Sequence, residues 1–251
     1  MLGFNGGLMG VRRTSTTGAA PGLWFQNEQS VAKRDAIWPT GGDLDFSSVK
    51  LLLDMEGSNG STTFTDRSNG ALTVTANGNA QISTARSKYG SSSCLLDGTG
   101  DFLTATVSGG LGAGDFTIEM WFYATTANTY LFNNRTSGTS GDGIDMLADG
   151  RIGTLGSIII TTAMTFTQNV WNHLAITRSG STMTRWVNGQ SDGTGTNSTN
   201  FSGSAFYIGG NNHASGNLGY LNGNLDEVRI TVGVARYTAN FTPPTAPFPG
   251  A

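Results

Sequence analysis

Aromatic rings beside carboxamide groups are the ingredients of a sugar site, because a ring offers an apolar face to C–H groups while amides meet hydroxyls as donor and acceptor. The chain carries such residues in two loops, Asn133-Asn134-Arg135 with Tyr130 ahead of it and Asn211-Asn212-His213 with Tyr220 after it. The same residue types also serve polar turns beside a core aromatic, so both roles stay open. Retaining hydrolysis of a glycosidic bond needs two carboxyls ~5 Å apart. The segment DFTIEMWFYA supplies one, Glu119, with Thr117 and Trp121 at the alternate positions. Asp226 and Glu227 are adjacent, so on a strand they point to opposite faces, whereas Glu227 and Arg229 share a face and read as an ion pair. No Ser-His-Asp set suggests itself, and no catalytic residue is assigned. Of the two histidines, His173 sits in a strand pattern and reads as structural, while His213 sits in an exposed loop. The single cysteine, Cys94, has no disulfide partner and reads as a small buried strand residue.

These residues need a scaffold, and its period is two. Gly, Ser, Thr or Asn interrupts nearly every window long enough for four helical turns, whereas strand alternation recurs from residue 49 to residue 232. In residues 115–124, Phe116, Ile118, Met120 and Phe122 share one face and Thr117, Glu119, Trp121 and Tyr123 the other. Large side chains on both faces predict a strand covered on both sides, or a sheet whose outer face binds something. Segments 171–178 and 182–188 flank Ser179-Gly180-Ser181 and predict a hairpin. Asn188-Gly189 and Asp149-Gly150 signal further turns, the latter between strands 144–148 and 151–154. Short strands at such spacing predict an all-β antiparallel sandwich.

Composition separates the two ends from this core. The 251 residues include 37 Gly and only 14 Lys+Arg against 17 Asp+Glu, for a net charge of −3. With no basic block there is no electrostatic footprint for nucleic acid. The longest apolar runs are three or four residues, far short of the ~20 of a spanning helix, so no membrane partner is expected. Nor does the opening MLGFNGGLMGVRR order its charges like a secretory signal. Residues 1–47 lack alternation yet hold Phe4, Trp24, Phe25 and Trp38, with Arg12 and Arg13. A segment that cannot bury its rings alone lies across its own domain or docks on a partner. Four of six prolines fall in the last nine residues, which predicts a sandwich over 48–241, ending by about Ala239, and an extended tail over 242–251.

The segments LLLDMEGSNGSTTFTD, CLLDGTGDFLT, GDFTIEMWFY, WNHLAITRSGSTMTRWVNG and GYLNGNLDEVRITVGVARYTANF, taken together, resemble the laminin G-like group of the concanavalin A-like lectin and glucanase superfamily. The resemblance implies a jelly-roll sandwich whose first and last strands, near Leu52 and Val228, lie together. It also implies calcium as a possible cofactor at a loop edge, for which Asp97, Asp101, Asp142 and Asp145, with Asp149, are the candidates, although none has a fixed calcium-loop pattern. The ending GVARYTANFTPPTAPFP and the opening MLGFNGGLMGVRR are similar to structural proteins of tailed bacteriophages. That resemblance implies a non-enzymatic virion component, in capsid decoration or tail, homo-oligomeric in the assembly. Its arm would dock on other virion proteins and its lectin-like domain would face host-surface polysaccharide. A secreted or cell-surface adhesin is the alternative, and a glycan hydrolase the third reading.

Overall fold

The computed structural model describes residues 42–127, 129–135, 142–154, 156–211 and 220–250. Its strands are β1 (Val49–Leu53), β2 (Val74–Asn77), β3 (Gln81–Ser83), β4 (Ser93–Asp97), β5 (Phe102–Thr106), β6 (Phe116–Ala124), β7 (Phe132–Asn133) and β8 (Asp145–Met146). They continue as β9 (Ile152–Thr154), β10 (Ser157–Ile160), β11 (Trp171–Ser179), β12 (Thr182–Val187), β13 (Gln190–Thr196), β14 (Ala205–Ile208) and β15 (Asn222–Val232). A single turn of 3-10 helix, Phe46–Ser48, leads into β1.

Alternation decides which side of each strand is inside. Phe116, Ile118, Met120 and Phe122 of β6 face a core shared with Leu174 and Ile176 of β11, Leu225, Val228 and Ile230 of β15, and Phe206 and Ile208 of β14. Burying each such side chain stabilises the fold by roughly 1.5–3 kcal/mol. Two antiparallel sheets enclose this core. The eight-stranded sheet runs β13-β12-β11-β6-β15-β4-β3 with β1 also paired to β15, and the seven-stranded sheet runs β10-β9-β8-β7-β14-β5-β2. β1 and β15 pair with Leu53 opposite Val228, which places the first and last strands together as expected.

The predicted hairpin forms as β11 and β12. Its far turn is built on Asn188 (φ 51°) and Gly189 (φ 77°), and a Cβ on Gly189 would collide with the Phe241 carbonyl oxygen. Around Asp149-Gly150 the strands are shorter than expected, Asp145–Met146 and Ile152–Thr154.

β6 is covered on both sides; outward, Arg86 and Lys88 lie over the Tyr123 and Trp121 rings, and the chain after β15 covers the rest. Tyr237 and Phe241 stack at 3.6 Å between centroids, and Phe241 lies edge-on to His173 and Trp186. Tyr89 Oη donates to the Pro244 carbonyl at 2.5 Å. Further along, Phe248 is buried with Phe46, Val49 and Leu52 in a second, outer cluster. The last strand ends at Val232, and the proline-rich stretch up to Phe248 lies against the sandwich; it cannot add a strand, but its rings still bury apolar area. Asp45–Phe248 forms one compact unit that carries all the described strands. A second unit takes in Met1–Leu44 and Pro249–Ala251. Within its described residues the Asp43 N–H donates to the Gly250 carbonyl at 3.1 Å.

Candidate functional site

The outward face of the seven-stranded sheet is built differently from that of its partner. In β2 and β5, Val74, Ala76, Leu103 and Ala105 turn to the core, which leaves Thr75, Asn77, Phe102, Thr104 and Thr106 outside. Strand register then sets a row across the sheet: Thr75 pairs with Thr104, Thr104 with Tyr207, Tyr207 with Asn133, and Asn133 with Asp145. Over β2, β5 and β14 this face forms an open trough of ≈ 540 Å³ lined by threonines, Asn77, Phe102 and Tyr207. Asn77 Nδ2 donates to Thr104 Oγ1 at 3.3 Å and to the Thr75 carbonyl at 3.2 Å, which fixes the amide against the hydroxyl row. Phe102 is tilted against Tyr207 at 5.9 Å and stacked on Tyr220 at 6.2 Å. Half-exposed rings among hydroxyl and amide groups present an apolar face and hydrogen-bonding edges to the same ligand.

Of the sequence-derived ligand set, Tyr220 reaches this trough through Phe102. Tyr130 bridges to Tyr220 through the backbone but lines a separate hollow of ≈ 280 Å³ with Leu147, Ala148, Asp149 and Arg151; burial, with Asp145 nearby, raises its phenol above the ordinary value. Asn133, Asn134 and Arg135 are buried, as is Asn211. Asn133 Nδ2 donates to Asp145 Oδ1 at 2.8 Å, and Arg135 pairs with Asp145 at 2.9 Å. Asn134 spans two segments, donating to the Gly203 carbonyl and accepting the Ile144 N–H. These side chains brace the rim of the sheet. Asn212 and His213 lie outside the described residues, as do Phe4, Arg12, Arg13, Trp24, Phe25 and Trp38.

Four of the five carboxylates offered for calcium, Asp97, Asp101, Asp145 and Asp149, accept from or pair with protein donors. Asp101 accepts the backbone N–H groups of Asn79 and Asp97, and Asp97 accepts Thr99 N–H and the Asn79 amide. Asp145 is in the pair with Arg135, Asp149 pairs with Arg151 at 2.7 Å, and the Asp142 carbonyl accepts the Gly203 N–H. Among the described residues no three His, Cys, Asp or Glu side chains converge.

On the outward face of the eight-stranded sheet, Glu119 is fully buried. Its Oε1 takes Arg229 Nε at 2.9 Å and Nη2 at 2.8 Å, its Oε2 accepts the Tyr237 hydroxyl at 2.8 Å, and His173 Nε2 stands 3.5 Å away. Burial pushes this carboxyl up, but Arg229, His173 and Arg236 outweigh it and hold it at about 2. A carboxyl so fixed as an anion is no proton donor.

The expected pair of Glu227 with Arg229 gives way to Arg229 with Glu119, because β15 bulges between Asp226 and Arg229, with Glu227 at φ 50°. Leu225 and Val228 both face the core, so Asp226 and Glu227 both fall on the outward side, against the expectation of opposite faces. Asp226 accepts the N–H groups of Lys88, Tyr89 and Glu227, and Glu227 accepts that of Phe248. Burial pushes both carboxyls up to about 7, with backbone N–H groups opposing the shift at each. Cys94 is buried on β4, where burial raises its thiol well above the ordinary value.

Thr75, Asn77, Phe102, Thr104 and Tyr207 were missed by the sequence reading. Their signal was the pair of Thr-rich alternations TVTAN (73–77) and FLTAT (102–106), which the pairing of β2 with β5 turns into one surface.

A model of the family described as the concanavalin A-like lectin/glucanases superfamily matches residues 97–234, more than half of the chain. No curated protein matches the sequence. Among solved structures, domain 4 of AbnA, an extracellular GH43 arabinanase from Geobacillus stearothermophilus in complex with arabinotriose, is 17% identical with a TM-score of 0.58, covering 75% of this chain and 94% of that one. The binding domain of botulinum neurotoxin serotype D is 13% identical with a TM-score of 0.51, over 77% of this chain and 51% of that one. Trypanosoma rangeli sialidase is 14% identical with a TM-score of 0.53, over 74% of this chain and 30% of that one. The chain thus spans about half of the toxin domain and under a third of the sialidase, and the likeness is one of fold.

Proposed function

Because the chain belongs to the concanavalin A-like lectin/glucanases superfamily, we propose that it is a non-enzymatic, glycan-binding structural protein of a tailed-phage virion, held in the particle by residues 1–47 and presenting its sandwich to host-surface polysaccharide. The observation that carries the binding half is the trough, where Phe102 and Tyr207 stand among threonine hydroxyls and the Asn77 amide. Arabinotriose on a domain of the same fold gives the reading a precedent. The non-enzymatic half rests on Glu119, buried and locked by Arg229 and Tyr237, and on Asp226 and Glu227, which accept backbone N–H groups. The virion half rests on sequence: an opening and an ending similar to phage structural proteins, and rings in residues 1–47 that call for a docking surface.

The test is retention of the full chain on immobilised bacterial surface polysaccharides, beside a Phe102→Ala/Tyr207→Ala double variant of unchanged melting temperature. Retention of the wild type and loss by the variant is expected. Equal retention of both would remove the trough from the reading.

A further inference from the structure

We propose that the trough selects an uncharged glycan, taking a short stretch of a neutral polysaccharide and rejecting polyanions; this rests on the glycan-binding reading above. Among the described residues its lining holds no Asp, Glu, Lys, Arg or His, and Thr75, Asn77, Phe102, Thr104, Thr106 and Tyr207 supply its chemistry. The charge at the end of the same row, Asp145, pairs with Arg135 at 2.9 Å, and both are buried, with Asn133 tied to Asp145 as well. A carboxylate or sulfate laid in the trough would give up water and meet no cation, which is unfavourable. A neutral sugar loses nothing comparable. Its hydroxyls exchange water for threonine hydroxyls that both donate and accept, and its C–H face meets the rings.

The dimensions favour more than one sugar ring. The lining crosses three strands spaced ~4.8 Å apart, and Phe102 to Thr106 runs on the order of 13 Å along β5. The volume of ≈ 540 Å³ falls inside the ~300–1,000 Å³ of ligand sites. Tyr207 sits mid-row between Thr104 and Asn133, so it is the platform, and Thr104, braced by Asn77, is the hydroxyl reader.

Calorimetry of the full chain tests this with two sets of soluble probes: neutral arabinan, β-glucan, mannan and galactan oligosaccharides, and anionic alginate, polygalacturonate, hyaluronan and carrageenan oligosaccharides. A neutral probe should bind with an affinity that stays constant between roughly 0.05 and 0.5 M salt, where an ionic contact would be screened. Tyr207→Ala should weaken it at least about tenfold, as expected when a ring loses its buried face. Thr104→Val, which keeps the shape and removes the hydroxyl, should weaken it by roughly three- to tenfold with the melting temperature unchanged. Binding confined to the anionic set, or binding that falls with salt, overturns the neutral class and leaves the glycan reading standing. Neutral binding that survives both substitutions overturns the site. Binding to neither set overturns the glycan reading and this inference with it.

Discussion

Glu227→Gln should stabilise the domain in mild alkali and do nothing in acid. Glu227 lies 3% exposed at the β15 bulge, beside Asp226, Asp54 and Arg229, with the Phe248 N–H donating to its carboxylate at 2.7 Å. Burial first, then Asp226 and Asp54, push its carboxyl from 4.5 up to about 7, against the Phe248 amide and Arg229, which pull it down. The folded state therefore prefers the protonated acid more than the unfolded chain does. Stability linked to this group is fully present below about pH 4.5 and is lost as the pH rises through about 7. The loss amounts to roughly 3 kcal/mol when complete. Glutamine keeps an oxygen for the Phe248 N–H and carries no charge, so that loss disappears. Urea unfolding of both proteins at pH 4.5 and 8.5 measures the difference, expected near zero at the lower pH and about 2–3 kcal/mol in favour of Gln at the higher. For a domain of this size that is roughly 4–12 °C in Tm. A Gln variant less stable than wild type at pH 8.5, or an effect of equal size at both pH values, would refute the reasoning and mean that the charge is satisfied by Arg229.

Removal of residues 1–44 should leave cooperative melting of the sandwich, whereas a cut through Ser47 also removes Phe46 from its cluster with Val49, Leu52 and Phe248 and should lower stability by roughly 3 kcal/mol in chemical denaturation. Incubation with β-glucans, agarose and bacterial polysaccharides should release no reducing ends above buffer; turnover abolished by Glu119→Gln would contradict the non-enzymatic reading. That substitution takes the charge out of the buried Glu119–Arg229 pair, and its expected effect is on unfolding, a loss of about 3–5 kcal/mol. Trp24→Ala with Phe25→Ala should reduce incorporation into assembled particles while the Tm of the purified protein stays constant, and normal incorporation would remove the arm as the docking element.

Local chemistry determined a good deal of this protein. The alternation in residues 115–124 is set by the pleat, so β6 and its inward face were legible from side-chain order alone. The β11–β12 hairpin and the Asn188-Gly189 turn were legible from local chemistry too, since positive φ is tolerated by Asn and costs Gly, which lacks a Cβ, nothing. Tertiary structure decided what meets each outward face. Thr117, Glu119, Trp121 and Tyr123 announce a covered face, but the segment that covers much of it begins after Val232, more than a hundred residues later, and arrives through rings and backbone hydrogen bonds that carry no periodic signal. The bulge at Asp226 and Glu227 turned two carboxylates to one side, because one extra residue in a ladder reverses the facing that alternation assigns. Asn133, Asn134 and Arg135 read as either a sugar-binding loop or a polar turn and became buried braces, because Asp145, Ile144 and Gly203 come together around them only when the sheet closes. The trough exists for the same reason: Thr75, Thr104 and Tyr207 are far apart in the chain, and strand register alone sets them side by side.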